Sequence, residues 1–335
     1  MKKRVTLKQL AAELNLSIST VSKSLKDDPE ISQATIERVK KLAKERKYKP
    51  NALAVSLKSN KTRNIGVVIP EVLNSFFAKA LLGIEREAAL HDYKIITCIT
   101  NETLKKEQEY LEMLSYNGVD GFIISTCREA QNKKDYEHYN TILKDDVPLV
   151  MFDRVIEEVY CDKVVLDDRD AAKKAIEFLL SKGRKRIGIV SSVHRLEVGK
   201  QRYDSAIKTL EENKLSGHLI KIKRREDPID RIGDFIKDHQ IDALLGLDEL
   251  SGICALNSAK KFGYEIPNKI AIMGFTDGVV AQLSFPSLTT VSQHGEKMGR
   301  ECARILIDKL ELRAERYLPS TKIIKSSIVE RDSTP

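Results

Sequence analysis

Residues 6–23 read TLKQLAAELNLSISTVSK, and their spacing predicts the local structure. In the first half, apolar side chains recur at positions i, i+3, i+4 and i+7, which is one face of an α-helix. These side chains are Leu7, Leu10, Ala11 and Leu14. Thr6 can cap this helix, and Asn15 tolerates the left-handed backbone of a sharp turn. The stretch therefore predicts a short amphipathic helix followed by a tight turn.

A second short helix is expected after this turn. Ser17 can cap it, and Val21 and Leu25 lie on its apolar side. The other side presents Ile18, Ser19, Ser22 and Lys23. A third helix is predicted to begin at Ser32, and its inward-facing residues are Ile36, Val39 and Ala43. Two short helices joined by a tight turn are typical of a helix-turn-helix, and the alternative is three ordinary helices of a protein-interaction domain.

The second helix carries groups that suit the major groove of DNA. Its hydroxyl residues and its N-terminus can bind phosphate oxygens, which would hold the helix in the groove. Lys23 is long enough to reach O6 and N7 of guanine, and Ile18 can contact a thymine methyl group. The predicted chemistry is that of a recognition helix.

The distribution of charge supports this interpretation. The chain of 335 residues has a net charge of +8. Residues 1–63 hold 16 Lys and Arg against 6 Asp and Glu, whereas the rest of the chain holds 41 against 43. Such asymmetry predicts a small polyanion-binding module attached to a nearly neutral body, although a solvated basic arm is the alternative.

The segment from Pro50 to Leu57 reads PNALAVSL and is expected to form a helix only in the presence of a partner. Pro50 ends the third helix, Asn51 can cap a new one, and Ala54 and Leu57 recur on one face. A helix of about two turns is marginal in water by itself. In a dimer, two copies could lie on the minor groove, where Leu57 would wedge between base steps and kink the duplex. A plain linker is the alternative.

From Ile65 onward, short apolar runs alternate with amphipathic stretches. The runs are 65–69, 94–99, 121–124, 148–152, 164–166, 186–190, 243–247 and 269–273, and helix-like segments include 76–91, 103–116, 169–182, 199–213 and 249–262. Such alternation predicts parallel sheets covered by helices on both faces. Because about eight units are too many for one ordinary sheet, we expect two doubly wound α/β subdomains that meet near 153–163.

Polar residues follow several predicted strands, at the edge where doubly wound sheets bind ligands. They are Asn74, Asp153, Asp248 and Asp277. Two facing subdomains would place these side chains around one cleft. No Gly-x-Gly-x-x-Gly or Gly-x-x-x-x-Gly-Lys-Ser/Thr loop follows a strand, and no nucleophile–base pair is visible, so we expect no catalytic residues.

Other features argue against further classes of protein. No apolar run reaches the ~18 residues that a membrane span requires. The basic N-terminus leads into a polar segment and not into an apolar signal sequence. The five cysteines lie far apart without a Cys-x-x-Cys pair, and the six histidines are scattered. We therefore expect a cytoplasmic protein with reduced thiols, no metal and no cofactor.

Several motifs resemble those of the lactose-repressor (LacI/GalR) family of bacterial transcription regulators. They are VTLKQLAA at 5–12, LSISTVSK at 16–23, YKPNALAVSL at 48–57, TRNIGVVIP at 62–70, NSFF at 74–77, FDR at 152–154, GFTD at 274–277 and LTTVSQ at 288–293. The resemblance spans essentially the whole chain in order. It implies a homodimer with an N-terminal helix-turn-helix, a hinge helix and a core similar to periplasmic sugar-binding proteins.

The resemblance also implies domain boundaries. The DNA-binding domain is expected at 1–49, the hinge helix and linker at 50–63, and the effector-binding and dimerisation core at 64–335. Within the core, we expect an N-subdomain at about 64–161 plus 292–320 and a C-subdomain at about 162–291 plus 321–335.

Individual roles follow from the same resemblance. The residues that would contact DNA phosphates are Thr6, Ser17, Thr20 and Ser22, and those that would read bases are Ile18, Ser19 and Lys23. In the hinge segment the expected DNA contacts are Asn51, Ala54, Leu57 and Lys58. The residues that match positions lining or bordering the effector cleft are Phe76, Asp153, Arg202, Leu247, Thr276 and Gln293. Asn74, Asp248 and Asp277 complete the predicted effector site.

The chain departs from the family pattern at several of these positions. Lys23 stands where the family usually has arginine, which weakens bidentate reading of guanine. The other departures are Lys26 for asparagine, Val55 for arginine, Leu247 for asparagine and Thr276 for aspartate. The last two argue against transferring a specific sugar from a relative.

The sequence thus favours a non-enzymatic DNA-binding transcription regulator of the repressor type. Its affinity for a near-palindromic operator would be controlled allosterically by a small molecule, a sugar or sugar derivative, bound between the core subdomains. Control by a protein partner in place of a metabolite is the alternative.

Overall fold

The structure, a computed structural model, describes residues 5–48, 61–116, 118–223, 226–312 and 318–335. Contacts between Cα atoms divide the chain between Thr62 and Arg63 into an N-terminal unit and a core. The predicted hinge contacts lie outside the described residues, and they are Asn51, Ala54, Leu57 and Lys58.

The N-terminal unit contains the three predicted helices. They are α1 (Leu7–Leu14), α2 (Ile18–Ser24) and α3 (Gln33–Glu45). Asn15 ends α1 with a left-handed backbone at φ 53°, as the tight turn requires. Ser17 and Ser32 cap α2 and α3 through their side chains. The fully buried centre is formed by Leu10, Val21 and Val39, so the predicted inward faces are those that pack together.

In its described residues, the core contains two six-stranded sheets built from twelve strands. The strands are β1 (Asn64–Ile69), β2 (Lys94–Ile99), β3 (Gly121–Ile124), β4 (Leu149–Phe152), β5 (Asp162–Leu166), β6 (Ile187–Ser191), β7 (His218–Lys221), β8 (Ala243–Gly246), β9 (Ala271–Phe275), β10 (Thr289–Ser292), β11 (Thr321–Ile324) and β12 (Ser327–Val329). The first sheet has the order β11-β5-β4-β3-β1-β2 and is parallel throughout. The second has the order β12-β10-β9-β8-β6-β7, and only its pairing of β10 with β12 is antiparallel.

Helices connect the parallel strands. They are α4 (Ser75–Leu90), α5 (Leu104–Ser115), α6 (Arg128–Lys133), α7 (Glu137–Lys144), α8 (Asp168–Ser181), α9 (Glu197–Glu212), α10 (Ile229–Asp238), α11 (Glu249–Lys261), α12 (Val279–Leu283) and α13 (Gly295–Leu312). The predicted fold class, an all-α helix-turn-helix headpiece followed by two doubly wound parallel-sheet subdomains, is therefore confirmed.

The predicted boundary between the subdomains at 162 is wrong. β5 pairs with β4 in the first sheet, with Val150 opposite Asp162, so this strand belongs to the first subdomain. The C-terminal assignment also changes, because β11 pairs with β5 in the first sheet whereas β12 joins the second. Buried parallel strands are apolar along their whole length, so the sequence of a strand does not indicate which sheet it joins. The chain consequently crosses between the subdomains after β5, after β10 and after β11.

Two helices that begin at the cleft cross at very close range. A Cβ atom on Gly83 of α4 would lie 2.0 Å from the carbonyl oxygen of Glu296, and one on Gly299 of α13 would lie 1.9 Å from that of Ala80. Only glycine permits this approach. The crossing fixes the starts of α4 and α13 beside each other, where the chain passes into the second subdomain.

In the described part of the chain, no helix combines the length and apolar character needed to cross a membrane.

Candidate DNA-binding surface and effector cleft

Ser17 organises the hydroxyl residues at the start of α2. Its Oγ accepts a hydrogen bond of 3.0 Å from the backbone N–H of Thr20. It also shares hydrogen bonds of 2.7 Å with Ser19 Oγ and 2.8 Å with Thr20 Oγ1. Ile18 beside them is 48% exposed. This helix start therefore displays hydroxyl groups and an apolar side chain, which suit phosphate oxygens and a thymine methyl group.

Thr6 holds the start of α1 through a capping box. Its Oγ1 accepts a hydrogen bond of 3.3 Å from the backbone N–H of Gln9, and its own N–H donates to Gln9 Oε1 at 2.8 Å. The remaining predicted phosphate contact, Ser22, is half-buried on α2.

Lys23 is paired with an acidic residue that the sequence pattern did not indicate. Its Nζ forms an ion pair with Glu30 Oε2, and both side chains are exposed. The hydrogen bond and the charge of Glu30 raise the pKa of Lys23. Glu30 itself is oriented by Asp28, whose Oδ1 accepts a hydrogen bond of 3.0 Å from the backbone N–H of Glu30. The side chain predicted to read guanine thus has a carboxylate partner within the same unit.

In the core, the two subdomains meet at the carboxyl ends of their strands. Ser75, at the start of α4, donates a hydrogen bond to Glu249 Oε2 at the start of α11. Thr276 Oγ1 donates to the same carboxylate oxygen. Lys79 Nζ donates to the backbone carbonyl of Asp277 at 2.6 Å. These contacts bring Thr276 and Asp277 of the second subdomain against α4 of the first, which is the predicted position of the cleft.

Asp153 follows β4 and is buried, with a left-handed backbone at φ 56°. Burial raises its pKa to about 6, against the charges of Arg154 and Arg202. The nearest cation, Arg154 Nε, lies 3.9 Å from Oδ2, and no described residue donates a hydrogen bond to this carboxylate. Asp153 therefore offers hydrogen-bond acceptors to a ligand.

Arg202 reaches the cleft from α9. Its Nε donates a hydrogen bond of 2.6 Å to Asp168 Oδ1, and Nη1 donates to the carbonyl oxygen of Leu247 at 2.8 Å. The guanidinium carbon lies 4.5 Å from the ring centroid of Phe275. Nη2 is buried without a partner among the described residues. Arg202 thus retains a hydrogen-bond donor, while Leu247 contributes its backbone and not its side chain.

Three of the predicted effector residues, Asn74, Asp248 and Asp277, accept hydrogen bonds from backbone N–H groups of the protein itself. Asp248 caps α11 and accepts four hydrogen bonds of 2.5 to 3.1 Å from the backbone N–H and hydroxyl groups of Ser192 and Ser251. Asn74 Oδ1 accepts from the backbone N–H of Phe76 at 2.9 Å. Asp277 Oδ2 accepts from the backbone N–H groups of Gln293 and Gly295 at 3.1 and 3.4 Å. This geometry favours a capping role for these three side chains over the predicted ligand contact.

Phe76 belongs to an aromatic cluster at the start of α4. Its ring centroid lies 5.2 Å from that of Phe77 and 6.5 Å from that of Phe152, and only 4% of Phe76 is exposed. Gln293 is also buried. Both residues lie at the junction of the subdomains, where a ligand in the cleft could contact them.

Sequence reasoning missed several polar residues at the same strand ends. Thr100 follows β2 and Ser125 follows β3, and each carries a buried hydroxyl without a hydrogen-bond partner among the described residues. Both amide atoms of Gln131 on α6 are in the same situation. The rule that ligands bind at carboxyl ends of parallel strands could have found Thr100 and Ser125.

A separate surface cavity of about 550 Å³ lies elsewhere in the second subdomain. None of the predicted effector residues lines it, and its lining residues are Ile236, Lys237, Gln240, Ile241, Gly263, Tyr264, Glu265 and Lys269. In the described ranges no group of three or more His, Cys, Asp or Glu could hold a metal ion.

Two family profiles match the chain. The profile of bacterial regulatory proteins of the lacI family matches residues 6–51, and that of the periplasmic binding protein-like domain matches residues 176–334. The first match covers the three helices of the N-terminal unit. The second covers most of the second subdomain and the two crossings between the subdomains that follow β10 and β11.

Similar proteins of comparable length are transcription regulators. A probable HTH-type transcriptional regulator, EndR of Paenibacillus polymyxa, is 30% identical, with 97% of this chain and 96% of that protein covered. A ribose operon repressor of Halalkalibacterium halodurans is 28% identical, with 95% of each chain covered. The HTH-type transcriptional repressor CytR of Escherichia coli K12 is 26% identical, with 98% of this chain and 96% of that protein covered.

Solved structures of lower identity share the fold. A lac repressor dimer bound to operator and the anti-inducer ONPF superposes with a TM-score of 0.85 at 18% identity, with 99% of each chain covered. A complex of the regulator CelR with cellobiose has a TM-score of 0.71 at 22% identity, with 98% of this chain and all of the other covered. A regulator from Enterococcus faecium with bound ribose has a TM-score of 0.71 at 24% identity, with 81% of this chain and 98% of the other covered.

Proposed function

Because the chain belongs to the LacI family of bacterial regulatory proteins, it is a DNA-binding transcription regulator and not an enzyme, and we propose that a small molecule controls its affinity for an operator. The effector is a sugar or a sugar derivative and binds between the two subdomains of the core.

One observation carries this proposal: the cleft holds a hydrogen-bond acceptor and a hydrogen-bond donor that have no hydrogen-bond partner among the described residues. Asp153 of the first subdomain has no hydrogen-bond donor among the described residues, and Arg202 Nη2 of the second has no acceptor. Their charges are close enough for Arg202 to lower the pKa of Asp153 against the effect of burial. Buried polar groups are normally hydrogen-bonded. A sugar hydroxyl both donates and accepts, so neighbouring hydroxyls can satisfy both groups.

The relatives support the same class of ligand. Ribose operon repressors are among the similar proteins, and two of the structures with the same fold hold cellobiose and ribose. The departures at Leu247 and Thr276 are visible in the structure, since Leu247 offers only its carbonyl oxygen and Thr276 is bonded to Glu249. We therefore infer a sugar-like ligand but not a particular sugar.

The regulator acts on DNA as a homodimer. A surface of exposed apolar side chains, here called the α12 surface, lies on and just after α12; it consists of Val279, Val280, Leu283 and Phe285, which are 53% to 83% exposed. Apolar patches of this kind mark interaction sites. A dimer with two-fold symmetry presents two copies of α2, which predicts a near-palindromic operator.

Ligand binding would be coupled to DNA binding through closure of the cleft. The chain crosses between subdomains after β5, β10 and β11, so closure bends three connections. A ligand that contacts both Asp153 and Arg202 favours the closed state, because it is bound more tightly there. Coupling of this kind amounts to about 1–3 kcal/mol, or about 5–150-fold in operator affinity.

The experiment measures operator affinity with and without sugars. An operator is first selected from random duplexes with the purified protein, and binding is then followed by fluorescence anisotropy while ribose, cellobiose and other sugars are added. We expect one sugar to change the operator affinity by at least about fivefold. The variant Asp153→Ala should lose this response while it retains operator binding, and Asp92→Ala, an exposed loop variant, should keep both.

The proposal fails if the response survives in Asp153→Ala. It also fails if no sugar changes operator affinity and a protein fraction from the cell does, since control would then come from a protein partner.

A further inference from the structure

Helix N-termini crowd the edges at which the two sheets face the cleft. In parallel α/β sheets these N-termini carry partial positive charge and free N–H groups, which commonly bind the phosphate groups of ligands. Nine of the described helices begin at this edge, directly after a strand of either sheet or after the crossing that follows it: α4, α5, α6, α8, α9, α10, α11, α12 and α13.

At six of these helix starts, those of α4, α5, α6, α8, α11 and α13, the chain itself supplies a carboxylate. In the first subdomain, Glu129 Oε2 accepts a hydrogen bond of 2.9 Å from the first N–H of α5, and Glu102 Oε2 accepts one of 2.8 Å from the first N–H of α6. Ser75 at the start of α4 donates its hydroxyl hydrogen to Glu249. On this side of the cleft, the first N–H groups of α5 and α6 are therefore neutralised, and the start of α4 lies beside the charge of Glu249.

The second subdomain shows the same arrangement. Asp168 is the first residue of α8, and Asp248 caps α11 through Oδ1, which accepts a hydrogen bond from the backbone N–H of Ser251. Asp277 Oδ2 accepts a hydrogen bond of 3.4 Å from the N–H of Gly295, the first residue of α13. A bound phosphate would have to displace these carboxylates or lie beside them.

Two arginines near the cleft, Arg154 and Arg202, are also compensated. Arg154 Nη1 donates to both oxygens of Glu102 at 2.9 and 2.8 Å, and Arg202 donates to Asp168 at 2.6 Å. The remaining donor, Nη2 of Arg202, therefore belongs to a side chain whose charge is already balanced, so it suits a neutral acceptor such as a hydroxyl or ring oxygen better than a phosphate.

We propose that the cleft selects an uncharged polyhydroxyl effector and discriminates against phosphate esters and carboxylates, with Glu249 as a specificity-determining residue. This inference rests on the proposed function, because it names the class of ligand for the same site. Glu249 has the central position: it joins Ser75 of the first subdomain to Thr276 of the second, so its charge lies where the subdomains close. A ligand anion at this point would meet a like charge in a partly dry site, which is costly.

The test compares three proteins: wild type, Glu249→Gln and Ser75→Ala. Glu249→Gln removes the charge with little change in shape. Ser75→Ala breaks the same hydrogen bond but keeps the charge, so it is the matched control for a structural effect. Thermal unfolding shows whether each variant is folded. Ribose, ribose 5-phosphate and inorganic phosphate are then titrated into each protein by isothermal calorimetry, and any sugar that alters operator affinity is added together with its phosphate ester.

We expect wild type and Ser75→Ala to bind the neutral sugar at least about tenfold more tightly than its phosphate ester. In Glu249→Gln this preference should shrink by about tenfold or more, and inorganic phosphate should bind more tightly than to the other two proteins. A wild-type protein that prefers the phosphate ester overturns the inference, and so does an unchanged preference in Glu249→Gln.

The comparison with inorganic phosphate decides the inference even when no sugar in the set binds. Tighter phosphate binding by Glu249→Gln alone supports it, and equal phosphate binding by the three proteins overturns it. Failure of the proposed function looks different, because then no sugar, neutral or charged, changes the operator affinity of any of the three.

Discussion

The guanidinium group of Arg202 donates a hydrogen bond of 2.6 Å from Nε to Oδ1 of Asp168, and both side chains are buried. Asp168 begins α8 and Arg202 lies on α9, so the pair joins two helices of the second subdomain at the edge of the cleft. The same guanidinium donates from Nη1 to the carbonyl oxygen of Leu247 at 2.8 Å. The orientation of the predicted effector residue Arg202 thus depends on Asp168.

Replacing Asp168 by alanine should destabilise the core strongly. The buried guanidinium of Arg202 would lose its counter-charge, and breaking a buried ion pair in this way typically costs about 3–5 kcal/mol. The matched control is Asp170→Ala on the same helix, whose exposed ion pair with Lys174 contributes about 1 kcal/mol or less. Urea unfolding of the core, followed by circular dichroism, measures both changes. Equal losses of stability in the two variants would contradict the structural role of Asp168.

The stability of the core should depend on the titration of Asp153. Burial raises the pKa of this carboxyl group from 3.8 to about 6. A carboxyl group whose pKa is higher in the folded state than in the unfolded state stabilises the folded protein at low pH. This contribution is complete below the pKa of the unfolded state and is lost as the pH rises through 6. Asp153→Asn removes the titration, so the variant should gain stability relative to wild type between about pH 4 and pH 7, by about 3 kcal/mol at most.

The same substitution should weaken effector binding, because the carboxylate is the stronger acceptor for ligand hydroxyl groups. Urea unfolding at pH 4 and pH 7 measures the first effect, and ligand titration measures the second. Asp92→Asn is the control, since Asp92 is exposed and has a similar left-handed backbone at φ 59°. If the difference in the free energy of unfolding between Asp153→Asn and wild type is the same at both pH values, the titration of Asp153 does not contribute to stability.

The sequence was sufficient for most of the fold because the fold follows from periodic patterns. The helical spacing of residues 7–14 and the apolar runs at 65–69 and 121–124 correspond to α1, β1 and β3. The strands that no pattern indicated lie at or near sheet edges. β11 is largely exposed and β7 is partly exposed, so neither needs a continuous apolar run. The sheet to which β5 belongs was not predictable, since pairing depends on tertiary packing.

The cleft was only partly predictable for a related reason. The rule that ligands bind at the carboxyl ends of parallel strands selected both Asp153 and Asp248 as effector residues. Only the structure shows that Asp153 accepts no hydrogen bond from a described residue, whereas Asp248 accepts four. Glu249 was missed because its partner Ser75 is 174 residues away in the sequence. Local patterns carry no information about such a contact.

In the N-terminal unit, Glu30 should limit the affinity of Lys23 for DNA. The Lys23 ammonium group must leave the carboxylate of Glu30, or share it, before it reaches a guanine. Glu30→Gln should therefore raise operator affinity by up to about fivefold and increase the steepness of its salt dependence. Asp27→Asn is the matched control, because it makes the same change in net charge at an exposed ion pair with Lys40. Fluorescence anisotropy over a range of salt concentrations measures both, and an equal effect of the two variants would mean that only net charge matters.

Leu57, which lies outside the described residues, should determine DNA bending and not only affinity. An apolar side chain that enters the minor groove separates base steps and kinks the duplex. Leu57→Ala should therefore abolish the kink at the centre of the operator, which fluorescence resonance energy transfer between labelled DNA ends can measure. Leu57→Met is the control, since it keeps a long apolar side chain and should retain most of the bend. A bend that persists in Leu57→Ala would argue against insertion.

The α12 surface should hold the two protomers of the regulator together. Leu283 and Phe285 are 79% and 83% exposed, and burying such side chains against a second copy would stabilise a dimer through the hydrophobic effect. The double variant Leu283→Asp/Phe285→Ser should sediment as a monomer at concentrations where the wild type is a dimer. Because two half-sites are then no longer bound together, its operator affinity should also fall by at least about a hundredfold. Tyr160→Ser, which removes another side chain that is 68% exposed, should leave both properties unchanged. A double variant that remains dimeric would place the dimer interface on another surface of the core.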